Sequence, residues 1–280
     1  MGTRAERGWL TDYVLWVEAF VLVNFAFLVA DIYIAHSSNQ FRDPREYVPL
    51  FFSLVAPAVL LAGLILRAAH PRIWKWAGFA VGWCALATGL AGVVFHLDAQ
   101  FFYEKTLRSL TYGAPFAAPL AYAGLGLLLL VNRMVDAESA EWGRWIILLA
   151  LGGFFGNFVL SLTDHAVNGF FRWEEWIPVV SSAFATGFLT ALFFSTSGRR
   201  YLVISACVVL AQGVVGIAGF LYHLQSCLEG PGNLWYRIVN GAPLMAPLLF
   251  PNLVLLALIG IWVLDRKTVA PAGSTRSAAR

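Results

Sequence analysis

Charge is scarce in this chain. Of its 280 residues only 12% are Asp, Glu, Lys or Arg, about half the share typical of soluble domains, roughly 25%. With 59% hydrophobic residues and a mean hydropathy of +0.71, an ordinary water-soluble domain is excluded. Cysteine is scarce as well. Cys84, Cys207 and Cys227 are odd in number and lack any CxxC spacing, which removes a disulfide framework and a cysteine zinc site from consideration. Long polar stretches are also missing, so no soluble domain fits beside the apolar segments.

What is present is a series of apolar runs of membrane-crossing length, about 20 residues for a hydrocarbon core of about 30 Å. They fall at 13–35, 47–66, 74–96, 113–131, 144–165, 176–195, 201–223 and 241–264. The expected class is an all-α integral membrane protein with eight transmembrane helices, the lipid bilayer being its first partner. The opening run is too long for a signal-peptide core and lacks a small-residue cleavage site, so His36 is expected to stay in the mature chain.

Basic residues in the loops set the expected orientation. One side carries Arg4, Arg7, Arg67, Arg72, Lys75, Arg133, Arg144, Arg199, Arg200, Arg266, Lys267, Arg276 and Arg280; the other carries Arg42, Arg45, Lys105, Arg108, Arg172 and Arg237. The split of 13 against 6 places both termini in the cytoplasm and the chain in the inner (plasma) membrane. The net charge of +3 follows from this bias, and nucleic acid is not an expected partner.

The chain repeats itself, and a repeat of this length decides architecture. His36-x2-Asn39-x-Phe41-x4-Glu46-Tyr47-Val48-Pro49 aligns without a gap on His165-x2-Asn168-x-Phe170-x4-Glu175-Trp176-Ile177-Pro178, a displacement of 129. Gly89-x2-Gly92-x3-His96 matches Gly216-x2-Gly219-x3-His223 at 127, and Gly113-Ala-Pro115-x2-Ala118-Pro119 matches Gly241-Ala-Pro243-x2-Ala246-Pro247 at 128. The expected organisation is a cytoplasmic N-terminus (1–12), a four-helix repeat (13–132), a cytoplasmic linker (133–143), a second repeat (144–265) and a flexible tail (266–280). Because four is even, both repeats enter the bilayer in the same direction. They are expected to be parallel, related by a pseudo-twofold axis along the membrane normal, unlike inverted transporter repeats.

All the repeated polar residues then emerge at one membrane face, the extracytoplasmic one. Ionisable side chains inside a membrane are expensive and are functional candidates by default. His36, His96, His165 and His223 are candidate metal ligands, with Glu46 and Glu175 beside them. Asn39, Asn168 and Asp164 are candidates to orient the rings.

Three chemistries compete. In the leading one the histidines ligate haem b, and Gly89, Gly92, Gly216 and Gly219, in line with them at helical spacing, leave room for the porphyrin as cofactor-binding positions. In the second, imidazole and carboxylate hold non-haem iron, manganese or zinc. In the third, Glu18, Asp31 and the histidines relay ions or protons through a transporter, although Glu18 and Asp31 are unrepeated. A purely architectural alternative stands beside them: GxxG pairs permit close helix packing, and Glu46 and Glu175 suit helix N-termini. The Gly-Ala-Pro segments read first as helix entries and secondly as a quinone or substrate pocket.

The functional expectation is a membrane redox or electron-transfer component that meets quinone and, as partners, other subunits of a membrane redox complex. A non-haem metal-dependent membrane enzyme, a small-solute or ion transporter and an assembly subunit are the competing readings.

Overall fold

The computed structural model describes residues 12–195 and 198–269, with side chains to 266. The segment 1–11 and most of the tail, 270–280, lie outside these residues. The described chain is helical, with no strand among the described residues. In order come α1 (Tyr13–Ser37), α2 (Tyr47–Ile65), α3 (Pro71–Asp98), the short α4 (Phe101–Glu104) and α5 (Leu107–Tyr112), and α6 (Leu120–Met134). Then follow α7 (Ala140–Val167), α8 (Trp176–Phe194), α9 (Arg199–Glu229), the short α10 (Leu234–Asn240) and α11 (Leu249–Val269).

Seven of these are long and apolar enough to cross a membrane, the make-up of a multi-pass membrane protein. The eighth expected span, 113–131, is shorter. Its helix α6 begins only at Leu120 and has 15 residues, about 22 Å at 1.5 Å per residue. The reason is local. Pro115 and Pro119 have no N–H to give a helix ladder, and the chain from Pro115 turns through i+3 bonds, Ala118 N to Pro115 O at 3.0 Å and Tyr122 N to Pro119 O at 3.1 Å. The expected span at 241–264 shifts likewise, with a 3-10 turn at Ala246–Leu248 ahead of α11.

Burial follows the displacement seen in the sequence. On α7 the buried residues are Trp142, Gly143, Ile146, Ile147, Ala150, Phe154 and Asn157. Subtracting 129 gives Tyr13, Val14, Val17, Glu18, Val21, Phe25 and Leu28, every one of them buried on α1. Four of the five buried residues of α8 (Ser182, Ala185, Leu189 and Leu192) map in the same way onto the buried set of α2 (Ser53, Ala56, Leu60 and Gly63).

The core lies where α1, α6, α7 and α11 meet, around Val17, Phe25, Leu129, Ile147, Phe154 and Ala257. The halves are joined there by the Asn24 and Asn252 side-chain amides, Asn24 Nδ2 donating to Asn252 Oδ1 at 3.1 Å, and by Tyr13 against Trp142 and Trp262. Each half also lays a short helix on the other. Tyr33 of α1 packs on Trp235 of α10 at 6.0 Å, and Tyr112 of α5 donates to Val167 O of α7 at 3.5 Å. The outer faces of α2, α3, α8 and α9 expose large apolar side chains such as Phe51, Val55, Trp83, Phe184 and Val214; in hydrocarbon such a surface carries no penalty, because lipid tails are as apolar as leucine.

Arg133, counted among the loop charges, sits in the last turn of α6 and is buried against Glu18 of α1. Without it the charge split becomes 13 − 1 = 12 against 6, with the same sign.

A His–Glu–Asn cluster in each half

The His, Asn, Phe, Glu and aromatic positions of the repeated motif each have an identifiable task. Past the end of α1 the chain reverses through two left-handed residues, Gln40 (φ 64) and Phe41 (φ 49); past α7 it does so through Gly169 (φ 75) and Phe170 (φ 54). Phenylalanine rarely adopts positive φ, and its surroundings hold it there. Phe41 N donates to His36 O at 3.2 Å and to Asn39 Oδ1 at 3.2 Å; Phe170 N does the same to His165 O at 3.1 Å and Asn168 Oδ1 at 3.2 Å. The Phe41 ring stacks on Tyr47 at 4.8 Å, and the Phe170 ring on Trp176 at 4.0 Å. This folds the chain back so that the glutamate, at the end of a 3-10 turn, returns to the histidine.

The asparagine bridges the two. Its Oδ1 serves the turn, while Nδ2 donates to the carboxylate: Asn39 to Glu46 Oε1 at 2.6 Å, Asn168 to Glu175 Oε1 at 3.2 Å. The other carboxylate oxygen faces the imidazole. Glu46 Oε2 lies 3.6 Å from His36 Nδ1, and Glu175 Oε2 lies 3.9 Å from His165 Nδ1. Both Oε2 atoms are buried and accept no hydrogen bond, an uncommon state for a buried carboxylate oxygen.

The second histidine of each half is held differently. His96 Nδ1 meets Pro115 O at 3.0 Å, and His223 Nδ1 meets Pro243 O at 2.9 Å. A carbonyl only accepts, so Nδ1 carries the proton and Nε2 presents its lone pair. Each carbonyl also accepts the i+3 bond of its proline turn, from Ala118 N at 3.0 Å and Ala246 N at 3.2 Å. His36 and His96 stand 6.3 Å apart, ring centre to ring centre, at 73°.

His36 and His96 are ring neighbours, and His165 and His223 are held by a glutamate and a proline carbonyl in the same way. No ring contact, hydrogen bond or ion pair joins the first-half histidines to the second-half ones among the described residues. Among the described residues no group of three or more His, Cys, Asp or Glu is disposed to hold a metal ion.

Two other expectations meet a different environment. Asp164 forms no hydrogen bond or ion pair among the described residues and does not orient His165. Neighbours in a helix point about 100° apart, and Asp164 lies on the exposed side. The glycines face protein. A Cβ on Gly89 would come 2.5 Å from Ala123 N and 2.9 Å from Pro119 O; on Gly92 it would come 2.7 Å from Pro119 Cβ. On Gly216 it would meet Pro247 O at 2.6 Å, and on Gly219 Pro247 Cβ at 3.1 Å. These faces receive the proline turns that carry the accepting carbonyls, so their occupant is the entry of α6 or α11.

The structure also contains a polar cluster that no repeat announced. Glu18 of α1 binds Arg133 and accepts from Asn132 Nδ2 at 2.8 Å, with the guanidinium 3.8 Å over the Trp74 ring. Gly78 leaves the room it needs, since a Cβ there would lie 2.5 Å from Arg133 Cζ. Glu18 and Arg133 are separated by 115 residues and carry no spacing signal. Comparison with protein-family models, with curated proteins and with solved structures finds no match.

Proposed function

We propose that this chain is a membrane redox component in which each half carries one haem b between its two histidines, His36 with His96 and His165 with His223. The observation that carries the reading is the duplicated set of imidazoles: His96 and His223 have Nδ1 bonded to a proline carbonyl, which leaves Nε2 to bind, and His36 and His165 each face a glutamate oxygen, at 3.6 and 3.9 Å. Metal-binding histidines are oriented by such partners on the other ring nitrogen. Two imidazoles per half suit a cofactor that brings its own in-plane nitrogens. At metal–nitrogen distances of about 2.0 Å, imidazoles on opposite sides of one ion stand roughly 6 Å apart by their centres, close to the 6.3 Å of His36 and His96. Packing at Gly89, Gly92, Gly216 and Gly219 assigns those residues to helix approach, so the glycine platform is not part of this proposal.

Supporting the wider architecture are the matched burial of α1 with α7 and α2 with α8, the same turn after α1 and α7, and the reciprocal short helices. On this reading α6 together with its proline turns makes the eighth crossing, the repeats are parallel, and the basic bias sets both termini in the cytoplasm with the clusters on the opposite face of the plasma membrane. The transporter reading loses Glu18, which is neutralised by Arg133.

A non-haem iron, manganese or zinc site is the second reading, favoured by Glu46 Oε2 and Glu175 Oε2, which are buried beside the histidines and accept no hydrogen bond. One measurement separates the two. Purified protein is examined for an absorption spectrum and for metal content, alongside H96A/H223A. A Soret band lost in the double variant supports haem; colourless protein holding iron, manganese or zinc supports the carboxylate site. Protein with neither sinks both.

A further inference from the structure

The two seams where a short helix of one half lies on the other half are not alike. At one, Tyr33 of α1 packs its ring on Trp235 of α10, 6.0 Å centre to centre at 40°. At the other, α5 meets α7 through the Tyr112 hydroxyl on Val167 O at 3.5 Å, and no ring contact joins those two helices among the described residues. The repeat locates the difference. Tyr33, moved by 129, falls on Leu162, and Trp235, moved back by 127 or 128, falls on Arg108 or Leu107. The ring pair is therefore an addition made at one seam only.

This pair is continuous with the first-half cluster. Tyr33 also packs on Phe41 at 6.0 Å, and Phe41 lies 5.8 Å from the His36 ring. All three separations fall in the range of about 4.5–7 Å at which aromatic rings make contact. From His36 to Trp235 the chain of rings is unbroken, and it crosses from one half to the other. In the second half the matching chain is His165, Phe170 and Trp176, at 6.1 and 4.0 Å, the counterpart of His36, Phe41 and Tyr47; it has no branch at Leu162. The outer end of the first-half chain is open, since Trp235 is 50% exposed and Tyr33 49%.

An apolar contact alone does not require these two residue types, as leucine stands at the place on α7 that matches Tyr33. What tyrosine and tryptophan add over leucine is a ring that gives up an electron. Electron tunnelling falls off steeply with each gap between groups, so rings in unbroken contact make a favoured path. We infer that Phe41, Tyr33 and Trp235 are the electron route between a cofactor at His36 and the surface at Trp235, and that the first half is the one that exchanges electrons there with an outer-sphere one-electron carrier. The cofactor end of the route rests on the haem reading; the ring chain stands on geometry. In the step, one electron leaves ferrous iron at His36, which becomes ferric, and reduces the carrier by one electron. No bond forms or breaks and no proton moves.

The test uses the full-length protein in detergent, in a C84S/C207S background that removes the two exposed thiols. Y236C, at an exposed position beside Trp235, carries a covalent ruthenium polypyridyl label that a laser flash oxidises in the presence of a sacrificial acceptor. The oxidised label then draws one electron from the reduced protein, and iron oxidation is followed by absorbance. Y33L and W235L are each expected to slow that oxidation at least tenfold, with the absorption spectrum and unfolding temperature as in the parent. A label at L107C, on the opposite seam, should give a rate that Y33L leaves unchanged, and H96A should abolish the fast phase seen from Y236C. Equal rates in the parent and in Y33L/W235L, a Y33L effect from both labels, or a fast phase that survives H96A overturns the inference. Protein that holds no haem is tested by electron paramagnetic resonance: the oxidised label takes its electron through Trp235 from Tyr33, whose hydroxyl proton passes to solvent. A tyrosyl signal that is missing in Y33L keeps the ring route and removes the haem proposal, and no such signal overturns the route.

Discussion

Removing Glu18 is the sharpest test of how this fold handles charge in its interior. Glu18 and Arg133 are both fully buried at their side chains, and Arg133 lies beneath Trp74 with Asn132 completing the set. Breaking a buried pair from one side strands the other charge and costs about 3–5 kcal/mol. E18I and R133I are each expected to lose that much, a folded-to-unfolded ratio lower by on the order of a hundredfold or more.

The second half supplies the control, because it places Ile147, Gly260 and Ile261 where the first has Glu18, Asn132 and Arg133. There Gly260 makes way for Ile147, whose Cδ1 would be 2.8 Å from an added Cβ. Exchanging all three, E18I/N132G/R133I, installs a set that already packs in the same chain. Apolar replacement of a buried pair is commonly neutral or stabilising by about 1–4 kcal/mol, so the triple variant should match or exceed wild type. Thermal unfolding of the purified protein in detergent measures all four. A triple variant as unstable as E18I would refute the desolvation argument, and an E18I within about 1 kcal/mol of wild type would show that the guanidinium finds another partner.

Four further outcomes are expected. G89A and G216A should each destabilise by about 1–3 kcal/mol through overpacking, because the new Cβ meets backbone atoms of α6 or the turn before α11. G124A and G152A, with nothing within 4 Å, should stabilise by about 0.5–1 kcal/mol in the same thermal assay; a cost at both pairs would count against the packing assignment. N39A should lower cofactor affinity about 10- to 100-fold in the first half alone and N168A in the second alone, read as half-occupancy in metal titration; loss of all bound cofactor in either variant would argue for one shared site.

Asp43 is held down to about 2 by hydrogen bonds from the Arg45 side chain and backbone N–H. Because this lies below the ordinary 3.8, whatever the turn contributes is complete above 3.8 and disappears as pH falls through about 2. A carboxyl NMR titration should move up towards 3.8 in R45Q, and an unchanged midpoint would exclude the pairing as its cause.

Much of the architecture was legible in the residues, for reasons that survive folding. Hydrophobic runs report membrane-length helices directly, and seven of the eight expected spans agree with the helices to within a few residues apart from the later start of α11. At 113–131 the helix is shorter than expected and starts at Leu120, since an apolar run does not reveal where two prolines delay the ladder. His36, Asn39, Phe41 and Glu46 were marked as one motif by their recurrence, and their local spacing brings them together in both halves. Asp164 was drawn in by adjacency to His165, and adjacency in a helix separates side chains.

By itself the sequence determined the helical membrane class, seven of the long apolar helices and the recurrence of the His, Asn, Phe and Glu positions. These are properties of periodicity and local spacing, which a helix or a turn converts into position without outside help. Only the tertiary structure decided which surfaces meet. It filled the glycine faces with proline turns, gave His96 and His223 a carbonyl from elements about 20 residues away, and set His36 and His96 6.3 Å apart. It also joined Glu18 to Arg133 across 115 residues. Contacts of that kind depend on how helices approach one another, and neither hydropathy nor repetition encodes the approach.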